Sequence, residues 1–250
     1  LLFDPLMLVA PLGLRLWDRV AAAQVTSGLH IVAAPQNRPQ RSVAATASLS
    51  GIYAFAHLPD LRPQEHGAGD ASYWAEITES QRRTYTLTVS DLQERFFDFT
   101  LSVRTPQRGI FAFACPDATV TLDAPNSAIP LFSLPSRPVP AGMAVIRCEV
   151  TRAGQPAAWA FVEVKQTTTL LGQGLCDEKG RAAVIFPHPT ATGNVPLLEQ
   201  SWTLTLNIYH TPLPNARTPV DLCAVLSQQE SIQDEVTMTF GQELFVRIAA

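Results

Sequence analysis

Apolar and polar residues alternate with period two through most of this chain. The segments LGLRLWD (12–18), LHIVA (29–33), GIYAF (51–55), TYTLTVS (84–90), FDFTLSV (97–103), MAVIRCEV (143–150), AWAFVEV (158–164), RAAVIF (181–186), WTLTLNIY (202–209) and LFVRI (244–248) all show it. Successive side chains of a strand point to opposite faces, so the pattern predicts strands with a buried side. Thr, Val, Tyr, Phe and Trp dominate these segments, as suits a pleated, half-buried surface. One stretch, PVDLCAVLSQQESIQ (219–233), reads as a helix, with Leu222, Val225 and Leu226 on one side. The expected fold class is all-β.

The strands also repeat. At a shift of 130 positions Leu14, Leu16 and Val20 fall on Ala144, Ile146 and Val150, and Leu29 and Ile31 fall on Trp159 and Phe161. GIYAFAHLP (51–59) then meets GRAAVIFP (180–187) at 129, and TYTLTV (84–89) meets WTLTL (202–206) at 117. The difference is absorbed by one loop, 62–83. A duplication that keeps strand order and varies loop length predicts two copies of one sandwich. The expected domains are 1–124 and 142–250. Between them lies the proline-rich stretch 125–141, read as an extended, semi-rigid linker.

Each copy turns at a polar glycine. Asp177-Glu178-Lys179-Gly180 separates two alternating segments, and Ser48-Leu49-Ser50-Gly51 takes the same place in the first copy. Asp can cap a tight turn and Gly supplies its left-handed position, so a hairpin turn is expected rather than an acidic site. The order of strands and turns, with GIYAFAHLP followed by TYTLTVSD, resembles the transthyretin-like and carboxypeptidase-regulatory-like families. That resemblance covers most of 12–105 and 142–210. It implies two tandem Greek-key immunoglobulin-like β-sandwiches of seven strands, and says little about function. The longer phrases PLGLRLWD, EHGAGD, PLFSLPSRPVPAGMAVIR, PAAWAFVEV, GQGLCDEKGRAAVIFPHP and FGQELFVR are similar to proteins encoded with phage-tail-like contractile injection systems. This second resemblance implies a structural subunit of the particle, at the baseplate or around the tube and sheath.

Composition narrows the remaining classes. With 46% hydrophobic and 16% charged residues the chain is not wholesale disordered. Its net charge of −4 and the absence of a basic stripe argue against nucleic acid; Arg82-Arg83 is the nearest approach and reads as a solvated loop. Cys115, Cys148, Cys176 and Cys223 form no C-x-x-C pair, so free buried thiols are the expectation, with Cys148–Cys176 left as the one pairing that neighbouring strands would permit. His30, His57, His66, His188 and His210 stand outside metal-binding spacing, and only His188 and His210 could converge, both following strands of the second copy. There is no nucleophile elbow and no phosphate cradle. No cofactor, no metal and no enzymatic activity are therefore expected.

The remaining candidates are contact surfaces. Phe3, Leu6, Met7 and Leu8 belong to an apolar arm broken by Asp4, Pro5 and Pro11, too interrupted for a membrane span and without the basic start of a signal peptide. Such an arm could complete its own sandwich edge or add to a neighbouring subunit. Glu65, His66, Asp70, Tyr73 and Trp74 mix aromatic and charged types in the long loop, a composition suited to a protein contact. The expected function is a non-enzymatic subunit of a large assembly, a homo-oligomer among the options, built in the cytoplasm and carried out on a released particle. The alternatives are a carbohydrate- or surface-protein-binding module and an accessory domain of an enzyme.

Overall fold

The structure, a computed structural model, describes residues 10–61, 77–106, 109–122, 124–125, 127–191, 195–213 and 218–249. It is an all-β sandwich protein with one short helix among the described residues. The chain divides into two units. The first takes in residues up to Gln93, then Asp98–Ala114 and Leu122–Leu131; the second takes in Glu94–Phe97, Cys115–Thr121 and everything from Phe132.

The first unit holds β1 (Leu12–Leu14), β2 (Leu16–Asp18), β3 (Ala23–Gln24), β4 (Leu29–Pro35), β5 (Val43–Ala44), β6 (Thr46–Ala47), β7 (Tyr53–Phe55), β8 (Arg83–Asp91), β9 (Phe99–Thr105) and β10 (Ile129–Leu131). β5, β4, β8 and β9 lie side by side, each antiparallel to the next. β1 pairs antiparallel with β7, while β2, its continuation past Arg15, takes β10 in parallel. The alternation predicted for 84–90 is observed: Tyr85, Leu87 and Val89 are buried, and Thr84, Thr86 and Thr88 are partly exposed. Every second residue of β4 is treated the same way, with Ile31 and Ala33 inside.

The second unit holds β11 (Met143–Arg152), β12 (Gln155–Pro156), β13 (Phe161–Gln166), β14 (Thr169–Leu175), β15 (Arg181–Pro187), β16 (Ser201–Tyr209), β17 (Val220–Asp221), α1 (Leu222–Leu226), β18 (Glu230–Thr239) and β19 (Leu244–Ala249). β11 lies between β15, antiparallel, and β19, parallel. The facing sheet runs β14-β13-β16-β18, antiparallel throughout. Ala144, Ile146, Cys148 and Val150 of one sheet meet Val162, Val164, Leu204, Leu206 and Ile208 of the other in a single apolar core.

The two units share one pairing scheme. In each, the opening strand is flanked by an antiparallel partner (β7 or β15) and a parallel last strand (β10 or β19). In each, the second strand sits between its hairpin neighbour (β5 or β14) and a strand (β8 or β16) that in turn carries the next (β9 or β18).

That scheme accounts for the stretch expected to be a linker. Ile129–Leu131 is the closing strand of the first unit, and Phe132, buried, already belongs to the second. Ala128, Ile129, Leu131 and Phe132 of this stretch are buried, and so built into the units, despite the prolines around them. The helix expected over 219–233 is also shorter. It stops at Leu226, where the backbone N–H of Thr119 takes the Leu226 carbonyl at 2.9 Å and the Thr119 hydroxyl donates to the Gln228 carbonyl. From Glu230 the chain is a strand, and Val236, Met238 and Phe240 show the period-two signal that marks it.

The turn at Asp177–Gly180 is tight, as expected, closed by the Asp177 backbone N–H donating to the Arg181 carbonyl at 2.7 Å, but β14 before it and β15 after it lie in the two facing sheets, so it links sheets where a hairpin was expected. The Asp177 carboxylate accepts from the backbone N–H of Lys179 at 2.8 Å and of Arg181 at 2.9 Å, and Gly180 sits at φ +74.

Candidate interaction surfaces

The candidate contact residues Phe3, Leu6, Met7, Leu8, Glu65, His66, Asp70, Tyr73 and Trp74 lie outside the described residues. The cysteines correct the expectation of four free thiols. Cys115 and Cys223 form a disulfide, while Cys148 and Cys176 are free and buried. The sequence carried no spacing signal for this pair, because the partners are 108 residues apart and one stands in a loop of no regular structure.

His188 and His210 occupy separate surroundings. The His188 ring lies 4.4 Å from that of Phe240 and 6.0 Å from that of Trp202. His210 is buried, and burial, then the neighbouring Arg152 guanidinium, push its pKa down. Among the described residues no group of three or more His, Cys, Asp or Glu could hold a metal ion.

A carboxylate is buried on the outer side of the β14-β13-β16-β18 sheet. Phe161 and Glu163 of β13 point away from the apolar core, yet both are inaccessible. The segment Cys115–Thr121 covers this side, with the Gln173 side-chain amide donating to the Thr121 carbonyl at 2.8 Å, and Phe132 packs edge-on against Phe161. Glu163 accepts from Lys165 Nζ at 2.7 Å, from Gln173 Nε2 at 2.8 Å and from the Tyr209 hydroxyl at 3.1 Å. Asn207 stands directly across the ladder from Glu163. These three partners of Glu163 belong to the sheet itself, and Gln173 links the carboxylate to the cover through Thr121; a buried charge persists only when paired and hydrogen-bonded in this way.

The exposed side chains tell a different story. In the second unit Val195, Leu197 and Leu198 project from a short turn before β16, Leu198 at 77% exposure. The sequence PLLE held the signal: two adjacent leucines cannot both enter a core through an alternating strand. β19 forms a second surface. It pairs with β11 along one edge and with no other strand among the described residues, and Phe245 is 59% exposed on its outer side. Beside Phe245 runs a groove of about 360 Å³ walled by Pro135, Arg147, Asp177, Arg181 and Ala182.

The first unit carries a polar cleft of about 690 Å³ at the start of β8, with Arg38, Asp60, Arg82 and Arg83 in its wall. The Tyr85 hydroxyl, buried at its base, donates to the Pro59 carbonyl at 2.6 Å and so fixes the turn that presents Asp60. Burial, then the Asp60 charge, push the Tyr85 pKa up to about 12.

Neither a family model nor a curated protein matches the chain. Among solved structures it is similar to the Bacillus anthracis TIE protein, at 11% sequence identity and a TM-score of 0.27, over 95% of this chain and 32% of that one. The chain thus spans about a third of that structure's length.

Proposed function

We propose that this chain is a non-enzymatic structural subunit of a phage-tail-like contractile injection particle, assembled through protein–protein surfaces on two transthyretin-like sandwiches. The observation that carries the reading is the apolar surface left in water on the second unit: Val195, Leu197 and Leu198 on one turn, and Phe245 beside an edge strand. Clustered apolar side chains of this kind mark contact sites, and an unpaired edge offers backbone donors and acceptors to another chain. The strand phrases similar to those of injection-system proteins supply the class of partner. A disulfide favours a particle released into an oxidising medium over one confined to the reducing cytosol.

The test is native purification of the particle from cells expressing the chain with its neighbouring genes. Wild-type chain should co-sediment with the particle. A variant carrying Leu197→Asp and Leu198→Asp should keep its thermal melt yet be lost from it. Equal incorporation of that variant, or a wild-type chain that never sediments with a particle, would sink the proposal.

A further inference from the structure

We infer that the cleft at the start of β8 is a binding site for a small ligand bearing two or more oxyanion groups, carboxylate or phosphate. Five guanidiniums gather around it from three separate stretches of chain: Arg38 and Arg41, Arg82 and Arg83, and Arg104 of β9. Only two carboxylates answer them among the described residues. Asp60 is shared by Arg41 at 2.6 Å and Arg38 at 3.6 Å, and Glu79 by Arg104 and, at 3.6 Å, Arg82. Five positive charges against two negative leave three in excess, on a chain whose net charge is −4.

The strong partners are taken by Arg41 and Arg104, which sit at the margins. Arg38 and Arg82, in the wall itself, are left with contacts too long for a hydrogen bond, and Arg83 makes no ion pair among the described residues. The Nε of Arg82 is buried and has no hydrogen-bond partner among them, an unmet donor of the kind that a ligand relieves. Guanidinium forks match the planar oxygens of carboxylates and phosphates two bonds at a time. The volume lies within the range of small-molecule sites, roughly 300–1,000 Å³.

Binding of pyrophosphate and of citrate to the purified chain, measured separately by titration calorimetry, tests the site. At least one of the two should bind, with an affinity that falls as salt is added. Which of them binds decides between phosphate and carboxylate. A variant carrying Arg38→Gln and Arg83→Gln should lose at least about tenfold in affinity with its thermal melt unchanged, since each lost charged hydrogen bond is worth that much. The inference fails if neither probe binds, or if the variant binds as well as the wild type. Arg19→Gln, outside the cleft's wall, controls for a general charge effect: a loss equal to that of the double variant would also overturn the site.

Discussion

Cys115 and Cys223 are joined by a disulfide across a sequence separation of 108, with their Cα atoms 5.3 Å apart. The bond ties the segment Cys115–Thr121 to α1, whose first turn is capped by the Asp221 carboxylate at 2.9 Å from the Cys223 backbone N–H. Thr119 bonds to the carbonyls at the far end of the same helix, and Thr121 accepts from Gln173 on the sheet below. A short piece of irregular chain is thereby fastened at three places over the buried Glu163.

Closing a loop of this length removes entropy from the unfolded chain worth about 4–5 kcal/mol in the chain-entropy model. Replacing both cysteines by serine is expected to lower stability by roughly 2–5 kcal/mol. Urea unfolding with and without reductant checks it: reductant should shift the wild-type midpoint and leave that of the double serine variant in place.

The two free thiols should behave alike. Burial pushes Cys148 up to about 12, and burial, then the neighbouring Cys148 and Asp177, push Cys176 well above its ordinary value of 9.0. Both are therefore expected to resist a thiol reagent at mildly alkaline pH until the protein is unfolded. The same shifts set a pH window. A group whose folded pKa lies above its unfolded one stabilises fully below the unfolded value, and that contribution is lost as pH rises through the folded one. For Cys148 the loss runs from about pH 9 to 12, and Tyr85, raised from 10.0 to about 12, adds to it over the upper part. Unfolding free energy should fall steeply across that range, and removing the Cys148 thiol by Cys148→Ala should flatten its onset.

Gly180 is a position where a side chain is poorly tolerated. Its φ is +74, and a Cβ there would stand 2.3 Å from the Val150 carbonyl oxygen, which is backbone and cannot swing aside. Gly180→Ala is expected to cost roughly 2–4 kcal/mol from left-handed strain and overpacking together. Asp177→Ala, which removes the turn's bonds to Lys179 and Arg181 without a clash, should cost less, about 1–2 kcal/mol. Thermal melts of the two variants rank them.

Period two made the sheets legible. Tyr85-Leu87-Val89 and Ile146-Cys148-Val150 each announce a buried face, and the buried residues are those. The Asp177–Gly180 turn was legible because its chemistry is local. What escaped was whatever depends on distant chain. β14 hides behind Gly172 and Gly174, which are small because Val184 and Phe186 press within about 3 Å of where their Cβ atoms would be. β10 hides among prolines, since Ile129–Leu131 becomes a strand only when β2 is beside it. The arginines around the cleft come from positions 38, 41, 82, 83 and 104, so no basic run longer than the pair Arg82-Arg83 marks them.

Glu163 and Lys165 offer the sharpest test of the covered sheet. Glu163 is only 4% exposed in its side chain, and Lys165 28%. Removing one partner of a buried pair costs more than removing both, because the survivor keeps its desolvation cost and loses its compensation. Lys165→Met should therefore lower stability by roughly 2–4 kcal/mol, less than for a fully enclosed pair because part of the ammonium remains in water. Adding Glu163→Gln to it neutralises the stranded charge while keeping an amide that Tyr209 and Gln173 can still meet. The double variant should then be no less stable than Lys165→Met alone, giving a coupling of about 1 kcal/mol or more in a double-mutant cycle read by urea unfolding. Strict additivity of the two changes would mean that the ammonium and the carboxylate do not sense each other, and that Gln173 and Tyr209 alone keep Glu163 inside.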